Sequence, residues 1–257
     1  MPPPALVELV QSRVLPRVAL ARPAPRHRAH TGSVSRSLSL ELPRFAARAL
    51  ECDADALMER VDQLLAGGAP VDTICLELLA PTARLYGELW RADECDFGTV
   101  SLVSHRLQQV VHTLGRRFQP ELVSGAAGRC FLLVPVPGEQ HTLGLHMAGQ
   151  FLERAGWRVA VRFPESWDAL AATLRAGWFS VIGLSVGSER FLEGLPAAIV
   201  RLRRASRNPH LAVMVGGPIL VGRPGLGLAL GADATSDDAA SAVTKARAVS
   251  DLLTALT

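Results

Sequence analysis

Lysine is nearly missing from this chain: Lys245 stands alone among 27 basic residues, so the cationic character is almost wholly guanidinium. Genome base composition can cause such a bias, and it identifies no function by itself. Long apolar runs are also missing. The nearest approach, Leu211 to Ala232, is interrupted by Pro218, Arg223, Pro224 and six glycines, and never offers the roughly 20 uninterrupted residues of a membrane helix. The start, Met1 to Arg17, carries Glu8 and Arg13 inside its apolar stretch and has no small-residue cleavage site, which excludes a good secretory signal and makes the cytoplasm the expected compartment, with no membrane partner. Paired cysteines are absent too. Cys52, Cys75, Cys95 and Cys130 lie 23, 20 and 35 positions apart, a pattern of neither a zinc site nor a disulfide scaffold, so buried thiols are expected. No internal repeat is visible.

What is present is a globular composition, 49% hydrophobic and 20% charged over 257 residues, enough for two cores. The net charge of +3 hides a gradient: residues 1–50 hold eight arginines against Glu8 and Glu41, and the remainder is net acidic. Residues 1–42 read as a basic, largely mobile arm, proline-rich, with the run Arg26-His27-Arg28-Ala29-His30 and a short helix at Leu6–Leu15. Such an arm could touch nucleic acid or merely solvate a terminus.

Residues 43–122 read as a helical domain. Apolar residues recur at three and four spacings, as in Leu57, Val61, Leu64, Leu65 and in Ile74, Leu78, Leu79, Leu85, Leu89. Breaks at Asp53, a helix N-cap, at Gly67-Gly68 before Pro70, and around Asp93 to Asp96 give about four helices. Gly125 to Gly128 reads as a linker. From residue 129 to 257 the period changes: short strands at Cys130–Val134, Arg158–Val161, Val181–Ser185, Ala212–Val215 and Ala232–Ala234 alternate with helix-length segments. The expected class is α/β, a small four-helix bundle followed by a doubly wound, Rossmann-like parallel sheet.

Phe131-Leu-Leu-Val-Pro-Val-Pro-Gly-Glu-Gln-His-Thr-Leu-Gly144 places Glu139 and His141 in the loop after the first strand, where such sheets bind ligands. A histidine two residues from a carboxylate can give it the proton of one ring nitrogen and keep the other as a metal ligand. His27, His30, His105, His112, His146 and His210 form no metal triad by spacing, and His146 should face away on the following helix. Gly225-x-Gly227 lacks the third glycine of a dinucleotide fingerprint and follows the wrong strand.

The ordered pattern Glu139-Gln140-His141-Thr142-Leu143-Gly144, then after forty residues Ser185-Val186-Gly187, then after twenty-eight Gly216-Gly217-Pro218, resembles the cobalamin-binding domains of methionine synthase type. That family's pattern is Asp-x-His-x-x-Gly, Ser-x-Leu and Gly-Gly. The resemblance implies a corrinoid cofactor: adenosyl-, methyl- or hydroxocobalamin. It makes His141 the lower axial ligand of cobalt, gives Ser185 to the base of the cofactor's nucleotide tail, and leaves Gly187, Gly216 and Gly217 as open backbone. Gln140, Thr142, Leu143, Gly144, Val186, Pro218 and Thr235 complete the expected contacts. It also implies a helical cap over the upper corrin face, with Trp90 as lid and Phe97, Val100 and Ser101 beside it.

Two residues depart from the pattern, Glu139 for aspartate and Gly187 for leucine. The segment Leu89-Trp-Arg-Ala-Asp-Glu-Cys-Asp-Phe-Gly-Thr-Val-Ser-Leu-Val-Ser-His-Arg-Leu-Gln108, together with Gly138-Glu-Gln-His-Thr-Leu-Gly144 and Val215-Gly-Gly-Pro218, resembles the AerR/PpaA antirepressors of purple photosynthetic bacteria over residues 45–245, and the two departures favour that regulator. That resemblance implies a light- or redox-responsive regulator, not an enzyme, that binds a PpsR/CrtJ-type repressor and reaches DNA through it. Relatives in the group have also been associated with haem, which ranks below cobalamin here. The alternatives are a corrinoid carrier of a methyltransferase system, and a regulator that contacts DNA directly through the Arg-rich arm.

Overall fold

The computed structural model describes residues 32–118, 129–223 and 225–254. The chain divides into two compact units between Arg117 and Phe118. Among the described residues the first is all helical: α1 (Gly32–Glu51), α2 (Ala54–Ala66), α3 (Val71–Ile74) running through a π turn (Cys75–Leu79) into α4 (Ala80–Arg91), and α5 (Phe97–Arg117). Asp53 caps α2 by accepting from the Ala56 amide at 2.9 Å. The continuous α3–α4 rod makes four helical rods among the described residues, as the apolar spacing predicts.

The π turn has a local cause. Pro81 has no N–H for the carbonyl of Glu77 and its ring would crowd it, so the preceding turn widens and the Ala80 amide bonds back to Cys75 instead. Phe45, Leu57, Ile74, Leu78, Leu85 and Leu107 fill the centre. Buried Tyr86 donates its hydroxyl to the Ala46 carbonyl at 2.9 Å, and Arg106 donates to the carbonyls of Ala49 and Leu50, satisfying the open end of α1.

One expected boundary moves. The arm does not extend to residue 42: α1 begins at Gly32, and Leu38 and Leu42 are buried in the helical core. Serines between the leucines made this stretch read as a tail, but burial of one face is enough to hold it helical. The Leu6–Leu15 helix and the Gly125 to Gly128 linker lie outside the described residues.

The second unit is a parallel sheet of β1 (Cys130–Pro135), β2 (Arg158–Val161), β3 (Val181–Ser185), β4 (Ala212–Gly216) and β5 (Ala234–Ser236), in the order β2-β1-β3-β4-β5. Its helices are α6 (Leu143–Arg154), α7 (Trp167–Ala176), α8 (Leu195–Ala205), the single turn α9 (Leu226–Ala229) and α10 (Ala239–Thr254). Alternate strand residues split the core. Leu132, Val134, Ile182, Leu184, Val213 and Val215 pack with Leu170, Leu174, Ile199 and Leu202 of α7 and α8. Phe131, Leu133, Val181 and Met214 pack with Leu145 and Leu152 of α6 and with Ala246 and Val249 of α10.

The fifth strand starts two residues later than the sequence indicates. Its register with β4 runs from Ala234, opposite Met214, and Asp233 just before it joins β4 through its amide, which donates to the Val213 carbonyl at 2.8 Å, and through its carboxylate, which accepts from the Val213 amide at 2.7 Å and from Arg203 at 2.9 Å. Cys75 and Cys130 are buried as expected, whereas Cys52 and Cys95 are only half-buried.

Candidate functional site

The strand order reverses at β1: the chain goes from β1 out to β2, then returns to β3 on the other side. The loops after β1 and β3 lead to helices on opposite faces of the sheet, and in open sheets of this kind ligands bind at such a switch point, outside the carboxyl ends of the strands. The β1 loop is built tightly. Val136 continues the ladder by donating to the Ser185 carbonyl, and Gly138, at φ +86°, turns the chain so that the Glu139 amide closes onto the Val136 carbonyl.

Glu139 is the centre of the site. Its Oε1 accepts from the Gln140 amide at 2.8 Å and the His141 amide at 2.9 Å, and lies 2.5 Å from His141 Nδ1. Its Oε2 accepts from the Gly187 amide at 2.6 Å, across to the β3 loop. Burial pushes the carboxyl up, but the hydrogen bonds from the His141 ring and amide, the charge on His141 and the Gly187 amide outweigh it and bring the group down to about 2. The Glu139 hydrogen bond raises His141 above its ordinary value, against the opposing effects of burial and Arg190.

The two side chains differ sharply in exposure, 1% for Glu139 and 67% for His141. An ionised, buried carboxylate at Nδ1 fixes the Nδ1–H tautomer of the neutral ring and leaves the Nε2 lone pair for an electrophile. This is the donor set for one axial bond to a transition metal. Among the described residues no group of three or more His, Cys, Asp and Glu could enclose a metal ion, so a metal here must bring its remaining ligands with it. A corrin does so.

Beside this pair the backbone is bare. Gly217, at φ +115°, lies so close to Val186 that a Cβ there would sit 2.3 Å from the Val186 carbonyl. Ser185 and Gly216 are register partners on β3 and β4, and the Val186 amide bonds the Gly216 carbonyl at 2.8 Å. The structure thus gathers Glu139, His141, Ser185, Val186, Gly187, Gly216 and Gly217 at adjoining strand ends. Gln140 and Pro218 are exposed there, Thr142 is the cap position of α6, Leu143 begins that helix, and Gly144 faces open space. Thr235 stands apart, on β5 beyond β4, with its methyl group against the position where a Gly227 side chain would go. That packing, and the single turn that follows Gly225, account for Gly225-x-Gly227. His146 packs its ring 5.9 Å from Phe163.

In the helical unit, Trp90 at the end of α4 and Phe97 at the start of α5 stand with ring centroids 6.2 Å apart, both substantially exposed. Asp93, at φ 59°, makes the turn between them. Val100 is half-buried and Ser101 exposed on α5. Sequence reasoning missed Arg190, which stacks 4.5 Å over the Phe191 ring, reaches toward the Gly138 carbonyl and affects the titration of His141. Its place in the loop after β3, three residues past Gly187, was the available signal.

Comparison with known proteins agrees with this geometry. The B12 binding domain family matches residues 129–244, and a second B12 binding domain family matches residues 42–114. It is a cobalamin-binding protein. This cobalamin-binding protein is 29% identical, over 69% of its length and 92% of the other's, to an uncharacterised 20.5 kDa protein in the bchF-crtJ intergenic region of Rhodobacter capsulatus. Its fold is like that of the Methanosarcina barkeri monomethylamine corrinoid protein, with a TM-score of 0.68 at 18% identity, covering 80% of this chain and 96% of that one. No helix among the described residues is long and apolar enough to cross a membrane. The residues fit the cofactor on their own evidence: one exposed imidazole, its tautomer fixed by a buried carboxylate, stands on a loop at the carboxyl ends of the strands with no other metal-ligating cluster among the described residues.

Proposed function

We propose that the protein is a cobalamin-dependent antirepressor, not an enzyme, that responds to light or redox state and controls photosynthesis genes by binding a PpsR/CrtJ-type repressor. The observation that carries this reading is the Rhodobacter capsulatus relative, whose gene lies between bchF and crtJ. The departures at Glu139 and Gly187 support it from the side of the site.

When bound, cobalamin supplies a photolabile and redox-active cobalt centre. Everything else is done by this chain. His141 Nε2 would hold the cobalt, Glu139 keeps the imidazole and its Nδ1 proton in place, and Ser185 with the backbone of Gly187, Gly216 and Gly217 would receive the nucleotide tail. By the resemblance, Trp90 and Phe97 of the helical unit would give the ligand an apolar contact. A ligand that interacts differently with two conformations shifts their populations, and the repressor reads the surface that changes.

The test begins with the absorption spectrum of the purified protein with adenosylcobalamin, in the dark and after white light, beside His141→Ala. A retained dark complex that converts on illumination, with altered spectra in the variant, is the expected result. The illuminated and dark forms are then compared for release of the repressor from its DNA. No difference between them would remove the antirepressor reading, and methyl transfer from methylcobalamin to a thiol or folate enzyme would place the protein among the corrinoid carriers. DNA binding without repressor, weakening steeply with salt, would instead make the arm the effector.

A further inference from the structure

Gly187 occupies a position that no conformational demand reserves for glycine. Its backbone does not lie in the left-handed region, unlike that of Gly138 or Gly217. What excludes a side chain is space. A Cβ at residue 187 would stand 2.4 Å from Glu139 Oε2, 2.8 Å from Glu139 Cδ and 2.9 Å from His141 Nδ1, all of them atoms of the carboxylate–imidazole pair. The same residue donates its amide to Glu139 Oε2 at 2.6 Å. Glu139 cannot swing clear, because its side chain is 1% exposed and both its oxygens are already engaged.

We propose that Glu139 and Gly187 form one coupled positioning pair, in which the longer carboxylate reaches the β3 loop only because residue 187 has no side chain, and the Gly187 amide then fixes where His141 stands. Neither residue touches the metal; both act through the imidazole. Aspartate at 139, one methylene shorter, would withdraw from the β3 loop and vacate the volume that a side chain at 187 needs. The two departures from the wider cobalamin-binding pattern are therefore a single exchange of volume between two loops. The pair also ties the axial histidine to the segment Ser188 to Phe191, which carries exposed Glu189 and Arg190. This inference rests on the reading of His141 as the axial ligand.

The test uses the full chain labelled with 15N-histidine, loaded with cobalamin and reduced to the Co(II) state, with the axial-nitrogen splitting read by electron paramagnetic resonance. A 15N ligand splits each cobalt line into a doublet, whereas the cofactor's own unlabelled base gives a triplet. The parent protein should give the doublet; a triplet there would overturn the axial role of His141 itself. Given the doublet, Gly187→Ala should revert to the triplet and bind hydroxocobalamin about tenfold or more weakly, the scale of one displaced buried hydrogen-bond partner. Glu139→Asp combined with Gly187→Ala should regain the doublet and most of the affinity. Thermal unfolding without ligand checks each variant: if Gly187→Ala does not fold, recovery in the double variant supports the pair and failure of both counts against it. A doublet with unchanged affinity in Gly187→Ala, or a double variant no better than that single one, overturns the coupling.

Discussion

Glu139 and His141 bind each other without a ligand, and that makes the stability of the ligand-free protein depend on pH. Glu139 is held down at about 2 from an ordinary 4.5, so its contribution is complete above 4.5 and is lost as pH falls toward 2. His141 is raised above 6.5, so its contribution is complete below 6.5 and is lost as pH rises through its folded-state value. Both are complete together only between about 4.5 and 6.5. The thermal midpoint of the ligand-free sheet unit should be highest in that window. Glu139→Gln removes the charge that both shifts need and should flatten the profile. A bell of unchanged height in that variant would show that other groups set it.

At the scale of elements, the sharpest demand is the close pass of Gly217 over Val186. A side chain here meets both a positive φ and a backbone carbonyl 2.3 Å from its Cβ, so the strand end itself must move. Gly217→Ala should destabilise the sheet unit by about 2–4 kcal/mol in denaturant titration and leave the helical unit's transition in place. Simultaneous loss of both transitions would contradict two separate cores. The elements were largely legible in the sequence for the same reason that they form. Buried parallel strands are short β-branched and aliphatic runs, and the helices repeat their apolar residues at three and four. The misses came from interactions that such patterns do not encode. The register of β5 is set beside Asp233, whose amide and carboxylate both bind Val213, a residue twenty positions away. Pro81 opens a π turn without changing the apolar spacing. Leu38 and Leu42 hold α1 together only because the other helices cover them. Glu139 and His141 were readable as a pair two residues apart, but the Gly187 amide belongs to a loop 48 residues away, and only the sheet brings the two together.

For the whole molecule, the separation into two units makes the extent of the ligand's contacts measurable. A ligand stabilises what it binds by mass action, about 2.7 kcal/mol at a free concentration 100 times its dissociation constant. The proposed assignments give the helical unit Trp90 and Phe97, and the sheet unit His141 with its glycine surround. A cofactor that touches both must shift both unfolding transitions. The tryptophans separate them, because Trp90 belongs to the helical unit while Trp157, Trp167 and Trp178 belong to the sheet unit. In Trp90→Phe the remaining fluorescence reports the sheet unit alone, and circular dichroism at the helix band reports both. With cobalamin in excess, the parent protein should show both transitions displaced upward. Trp90→Phe should keep the displacement of the sheet unit and lose much of that of the helical unit. If the parent's helical transition stays where it is without ligand, the sheet unit binds cobalamin by itself, and Trp90 and Phe97 are left as an exposed aromatic pair with a different partner.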